Sequence, residues 1–208
     1  PAGKTETVTV ENNPLDPSAG TREVPFSGSL WIEADDFMAE PIPKYKRLTP
    51  NGPECRLKGA YLITCTGCVK DEDGNVTEVL ATYDPDSRGG DPADGRKVKG
   101  ATIHWVDAAT AVDAEVRLYD NLFTDANPDD KDFIECLNPG SLEVLTDCKV
   151  EAGLAAAADR YAESHEGGKT APGYQFMRLG YFCLDNKDTK AGHPVFNRSV
   201  SLKDSFKK

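Results

Sequence analysis

Three histidines, six cysteines and a surplus of carboxylates are the side chains of this 208-residue chain that could act on a bond or hold a metal. The histidines stand far apart. His104 adjoins Trp105 in a strand-like run and reads as structural, His165 follows a helical run, and His193 precedes Pro194 in a loop. No G-x-S-x-G, H-E-x-x-H or Walker pattern accompanies them. Cys65-Thr66-Gly67-Cys68 is a lone C-x-x-C. Zinc needs two further ligands, and no second pair supplies them. In a regular strand, residues three apart point to opposite faces. Six cysteines would suit three disulfides in a secreted chain. No basic segment followed by an apolar leader is visible, so free buried thiols are expected instead. With no paired acid and base, no activated nucleophile and no metal set, binding is the expected role rather than catalysis.

Charge gives that role a direction. Lys and Arg number 24 against 35 Asp and Glu, a net charge of −11 that argues against a general polyanion binder. The charge is segregated, however. Between Pro41 and Ala60, Lys44, Lys46, Arg47, Arg56 and Lys58 face one acid, Glu54, for a local charge of +4. Between Arg88 and Lys99 the balance is +2, and between Ala101 and Thr170 it is −10. A basic stretch on an acidic body can steer one anionic ligand without gripping every polyanion. Taken alone, the same stretch reads as an ordinary solvated loop.

The elements that must position these residues are short. Eighteen Gly and 14 Pro argue against long helices, while 8 Phe, 7 Tyr and 2 Trp can seed a core. No apolar run approaches the roughly 20 residues of a membrane-spanning helix. Residues 1–20, with Pro14, Pro17 and Gly20, read as a lead-in. Strands are expected at Ser29–Glu33, Leu57–Val69, Val76–Tyr83, Val98–Val106, Val112–Tyr119, Leu142–Val150, Tyr174–Leu184 and Val195–Leu202. Asp73-Gly74 marks a hairpin turn between the second and third of these. Asp35–Glu40 suggests one helical turn. Asp130–Leu137 and the Ala-rich Glu151–Ser164 suggest helices, the second ended by Glu166-Gly167-Gly168-Lys169. The pattern is all-β and mainly antiparallel, about ten strands with a few short helices, best arranged as two small β-barrels.

Lys97-Val98-Lys99-Gly100-Ala101-Thr102-Ile103-His104-Trp105-Val106 resembles the C-terminal anticodon-binding region of the class I glutaminyl-tRNA synthetases. So do Val24-Pro25-Phe26-Ser27-Gly28, Asp36-Phe37-Met38, Tyr45-Lys46-Arg47-Leu48, Thr82-Tyr83-Asp84-Pro85-Asp86 and Glu115-Val116-Arg117-Leu118-Tyr119-Asp120, in the same order. Asn138-Pro139, Ser141-Leu142, Gln175-Phe176, Gly180-Tyr181-Phe182-Cys183 and Phe196-Asn197-Arg198 continue the series, so the resemblance spans residues 20–206. It implies two barrels of the ribosomal-protein-L25-like kind. The first, proximal one would cover 21–100 and the second, distal one 101–208, with the last strands able to return to the first.

The resemblance also implies that this chain reads a tRNA(Gln) anticodon while an N-terminal catalytic domain of the same polypeptide performs ATP-dependent aminoacylation. The family's His-Ile-Gly-His and Lys-Met-Ser-Lys-Ser signatures are absent here, so the fragment needs no cofactor, and ATP and Mg belong to the full-length enzyme. A cytoplasmic monomer without membrane attachment is expected. Residue by residue, Lys46 and Arg47 match positions that meet the third anticodon base and its phosphate, with Lys44 beside them. A guanidinium can make a bidentate contact to a guanine edge, and glutamine anticodons end in guanine. Arg56 matches a position near the first base, and Gln175 and Arg178 match the pair that reads the middle uridine. Both of the last two can touch one base only if the strand bulges or ends between them.

Three departures stand out. Lys44 replaces a family Gln, the Thr49–Glu54 loop is one residue longer, and the Ala-rich insert has no counterpart. A further family Arg on the middle base lies upstream of these motifs. The related glutamyl-tRNA synthetases, a barrel whose acidic face binds a basic protein, and a zinc or redox domain on Cys65 and Cys68 are the alternatives.

Overall fold

Val8 and Val10 alternate with polar residues along β1 (Glu6–Glu11), and both are buried. The computed structural model describes residues 3–164 and 170–202, and in it the segment expected as a lead-in is a core strand. The prolines and Gly20 do form a turn, but the six residues before them follow a strand's two-residue period. They pair antiparallel with β2 (Thr21–Phe26), Val8 opposite Val24. Phe26 meets Trp105 edge-on at 5.1 Å and Tyr61 at 5.3 Å, joining this hairpin to the first core.

Behind it, β3 (Leu30–Ile32) leads to a 3-10 turn at Ala34–Asp36, shorter than the expected helical turn. β4 (Cys55–Leu57), β5 (Leu62–Lys70), β6 (Val76–Asp84) and β7 (Thr102–Ile103) form a sheet in the order β6-β5-β4-β7, with β4 and β7 parallel. β8 (Trp105–Asp107) pairs with β3. The run expected as one strand from Leu57 breaks at Gly59, whose φ of +71° turns the chain so that the Leu57 N–H reaches the Tyr61 carbonyl at 2.8 Å. The Asp71–Asn75 turn forms as expected, with Asp71 Oδ1 accepting from the Asp73 and Asn75 N–H groups.

In the second unit, β9 (Val112–Tyr119) and β10 (Leu142–Val150) have the expected bounds. α1 (Ala152–Ser164) lays Ala155 and Ala158 into the core with Val116, Phe182, Leu184 and Phe196, so the Ala-rich insert helps to close that core. His165 and the 166–169 stretch lie outside the described residues. β11 (Gly173–Phe176), β12 (Gly180–Leu184) and β13 (Val195–Ser201) complete the sheet β10-β9-β13-β12-β11. No α-helix forms over 130–137. Pro128–Asp130 makes a 3-10 turn, and Asp132 caps the Ile134 N–H, favouring turns over a helix.

The chain divides into Pro1–Thr110 and Ala111–Lys208. The division falls later than residue 100 because β7 and β8 pair with β4 and β3. β13 pairs with β12 and β9, so the last strand stays in the second unit rather than returning to the first. The fold is all-β and mainly antiparallel. Its ladders among the described residues run as ordered sheets, with no closed ring traced through them. No helix among those residues is long and apolar enough to cross a membrane.

Candidate nucleic-acid interface

Arg47 is held before any ligand arrives. Its Nε lies 3.4 Å from Oδ1 of Asp36, whose side chain is 1% exposed, and its Nη1 donates to the Asp35 carbonyl at 3.0 Å. Tyr45 Oη donates to the same carbonyl at 3.0 Å. The strap is fixed on both sides, the Leu48 N–H bonding the Asp36 carbonyl and the Met38 N–H the Leu48 carbonyl, each at 3.0 Å. Among the described residues Nη2 and one hydrogen of Nη1 are left over, the end-on fork that a guanine O6/N7 edge accepts. Asp36, which helps to orient this fork, belongs to the Asp36-Phe37-Met38 motif and Asp35 precedes it, but nothing in their composition marks them as holders of Arg47.

Lys46 and Arg56 are brought together through one residue. The Ala101 N–H donates to the Lys46 carbonyl at 2.7 Å, and the Arg56 N–H donates to the Ala101 carbonyl at 3.0 Å. Cys55 Sγ donates to the Lys46 and Pro53 carbonyls, and burial pushes its thiol up to about 11, so it stays neutral there. The Arg56 side chain turns to the neighbouring loop, where Nε donates to the Gly90 carbonyl and Nη2 to Asp91 at 2.9 Å. Asp91 is 87% exposed, so a phosphate can compete for this pair.

The second basic stretch is largely neutralised. Arg96 bonds Glu54 at 2.7 Å, Asp84 at 2.6 Å and Asp94 at 3.0 Å. Arg88 donates to the Thr7 carbonyl and lies 4.0 Å from Glu6. Of its four cations only Lys97 and Lys99 make no ion pair among the described residues. Arg96 latches the loop after β6. Hydrogen bonds from it hold the Asp84 and Asp94 carboxyls below the usual range, so the latch is present at neutral pH and is lost as pH falls through those lowered values. Arg96→Ala is expected to speed limited proteolysis within 85–100 by about fivefold at pH 7, while cleavage in the second unit stays unchanged. Equal rates for the two proteins would remove the latch assignment.

Gln175 and Arg178 do not share a strand. β11 ends at Phe176, and the Leu179 N–H bonds the Phe176 carbonyl at 3.0 Å. Arg178 takes the third position of that turn at φ +66°. The strand-end alternative is therefore the one the chain adopts. Lys44 occupies the equivalent position of the turn Ile42-Pro43-Lys44-Tyr45, at φ +68°, with the Tyr45 N–H on the Ile42 carbonyl at 3.1 Å. Glycine or asparagine suits that position, and a longer side chain there costs roughly 1–2 kcal/mol. Among the described residues Asn51 is the other non-glycine residue with positive φ, in a similar turn after Pro50. Both cations at such positions belong to the expected interface. Pro43 before Lys44 is the one sequence signal that could have exposed this.

All six cysteines are free of disulfides, and no group of three or more His, Cys, Asp or Glu among the described residues could hold a metal ion. Cys65 is buried and paired opposite Ala81, Cys68 is half-buried opposite Val79, and a register shift lies between them.

The described residues form all-β, mainly antiparallel units, with Lys44 and Arg178 at turns and Arg56 and Gln175 on strands. A family model described as "tRNA synthetases class I (E and Q), anti-codon binding domain" matches residues 1–84, and a second of the same description matches 102–185. The chain belongs to this family. Along its full length it is 48% identical to the glutamine–tRNA ligase of Bradyrhizobium diazoefficiens, and 50% identical to those of Clostridium kluyveri and Vibrio cholerae. It spans 35% of the length of each of these relatives.

Proposed function

We propose that the chain reads the anticodon of a glutamine tRNA for a glutamine–tRNA ligase. Arg47 takes the guanine edge of the third base, with Lys46 and Lys44 on the adjoining phosphates. Arg56 lies near the first base, and Gln175 and Arg178 read the middle uridine. The observation that carries this is the placement of Lys44 and Arg178 at turn positions that suit glycine, each three residues in sequence from a residue assigned to a base. The rest of the ligase polypeptide, with its ATP and Mg²⁺, is the partner that performs aminoacylation. We assign the whole to the cytoplasm as a monomer.

Fluorescence anisotropy with an anticodon stem-loop tests the assignment. A CUG loop should bind more tightly than a loop with the middle base exchanged, and the preference should survive near-physiological salt. Equal, salt-sensitive binding to both loops would reduce the chain to a source of charge. No binding by the folded chain even at low salt would overturn the assignment altogether.

A further inference from the structure

We infer that Tyr181 is a stacking platform for the base that Gln175 reads. The inference rests on the anticodon assignment above and adds a residue to it. In the β11–β12 ladder Gln175 lies directly opposite Tyr181, and in the β12–β13 ladder Tyr181 lies directly opposite Val200. Residues directly opposite one another share a sheet face, with Cβ atoms about 5 Å apart. The other face is fully committed. Tyr174 and Phe176 pack into the second core, and Phe182, next to Tyr181, is 3% exposed and stacked on Phe176 at 4.3 Å. Gln175, Tyr181 and Val200 therefore make one row across three strands on the outer face. Tyr181 is 48% and Val200 58% exposed.

A splayed nucleobase needs two things from such a row: hydrogen-bond groups for its edge and a flat apolar surface for its face. Gln175 carries both a donor and an acceptor for the edge. Tyr181 supplies the ring beside it, and Val200 extends the apolar floor. Tyr83, an exposed tyrosine of the first unit, is by contrast already packed edge-on against Tyr61 at 5.2 Å. Tyr181 has no ring partner among the described residues.

The local backbone is shaped for this presentation. Gly180 has φ +149°, and a Cβ there would lie 2.5 Å from the Val200 carbonyl oxygen, so β12 can approach β13 at this point only without a side chain. The ladder shifts register between Tyr181 and Phe182, the kind of bulge that re-aims a side chain. Arg178 lies in the turn of the same hairpin, three residues from both Gln175 and Tyr181 in sequence, so a cationic residue stands at that hairpin end.

The test is a cycle between protein and RNA. Tyr181→Thr keeps a strand-forming residue and removes the ring. It should weaken binding of the CUG stem-loop about tenfold, while Tyr181→Phe should stay within about twofold of the parent. With a stem-loop that is abasic at the middle position, Tyr181→Thr and the parent should bind alike, because the ring has lost its partner. A second measurement uses 4-thiouridine at the middle position, which should cross-link to Tyr181 on irradiation. An equal loss on intact and abasic loops would make Tyr181 a structural residue and overturn the inference, as would parent-like binding by Tyr181→Thr. If the parent itself binds both loops equally, the anticodon assignment fails first. Thermal unfolding of each variant separates loss of fold from loss of the platform.

Discussion

Arg47→Ala is expected to bind a guanine-ending anticodon loop about ten- to a hundredfold more weakly, and to lose most of its preference over loops ending in other bases. The size follows from the fork. Two parallel N–H donors match two acceptors on guanine, and no other base offers that pair on the same edge. The substitution also leaves Asp36, with its side chain 1% exposed, without the guanidinium beside it, so the midpoint of thermal unfolding should fall as well. Adding Asp36→Asn separates the two effects. The double variant should recover much of the lost stability and none of the discrimination. Anisotropy against loops with each of the four third bases decides the matter: an equal loss on all four would mean that Arg47 only holds phosphate.

Gly100→Ala should destabilise the first unit by about 1–3 kcal/mol, the usual cost of overpacking a well-filled site. A Cβ there would stand 2.3 Å from the Glu54 carbonyl oxygen and 2.7 Å from Cys55 Sγ. One of those atoms is backbone and the other is buried, so neither can swing aside. The Gly100 N–H bond to the Glu54 carbonyl, at 3.1 Å, would have to open, and Ala101 would move with it. Since Ala101 ties the Lys46 and Arg56 backbones together, RNA affinity should fall along with the denaturant midpoint. Gly67→Ala is the control, because its Cβ would meet nothing within 4 Å. A Gly100→Ala protein as stable as that control would show that the loop yields freely.

The parts of this fold that could be read from sequence are those where period and packing agree. Val112–Tyr119 alternates Val, Ala, Val and Leu with polar residues, and its bounds hold to the residue. The Ala-rich helix followed from intrinsic propensity and starts one residue later than expected. What escaped depended on tertiary contact. The break at Gly59 is set by a turn packed near Val10, and nothing in the local apolar run announces it. The strand at 6–11 is short and polar between its valines, and its burial comes from β2 and the first core. For the site, the residue types were legible, but their holders were not. Local charge overstated the second basic stretch, because Arg96 is neutralised by Glu54, 42 positions away in sequence, as well as by nearby acids.

The parallel pairing of β13 with β9 has a consequence for the order in which the chain takes shape. β13 sits third in a five-stranded sheet, between β9 and β12, yet it is the last strand to be synthesised among the described residues. Until 195–201 has left the ribosome, β9–β10 and β11–β12 are two separate hairpins without a common sheet, and isolated hairpins are marginal in water. The strands of the first unit, by contrast, are all available by residue 107. Synthesis therefore presents a unit that can be complete early and a second that stays open until its central strand arrives. In that interval Phe176 and Phe182 lack Phe196, which makes the second unit the aggregation-prone half of a nascent or truncated chain.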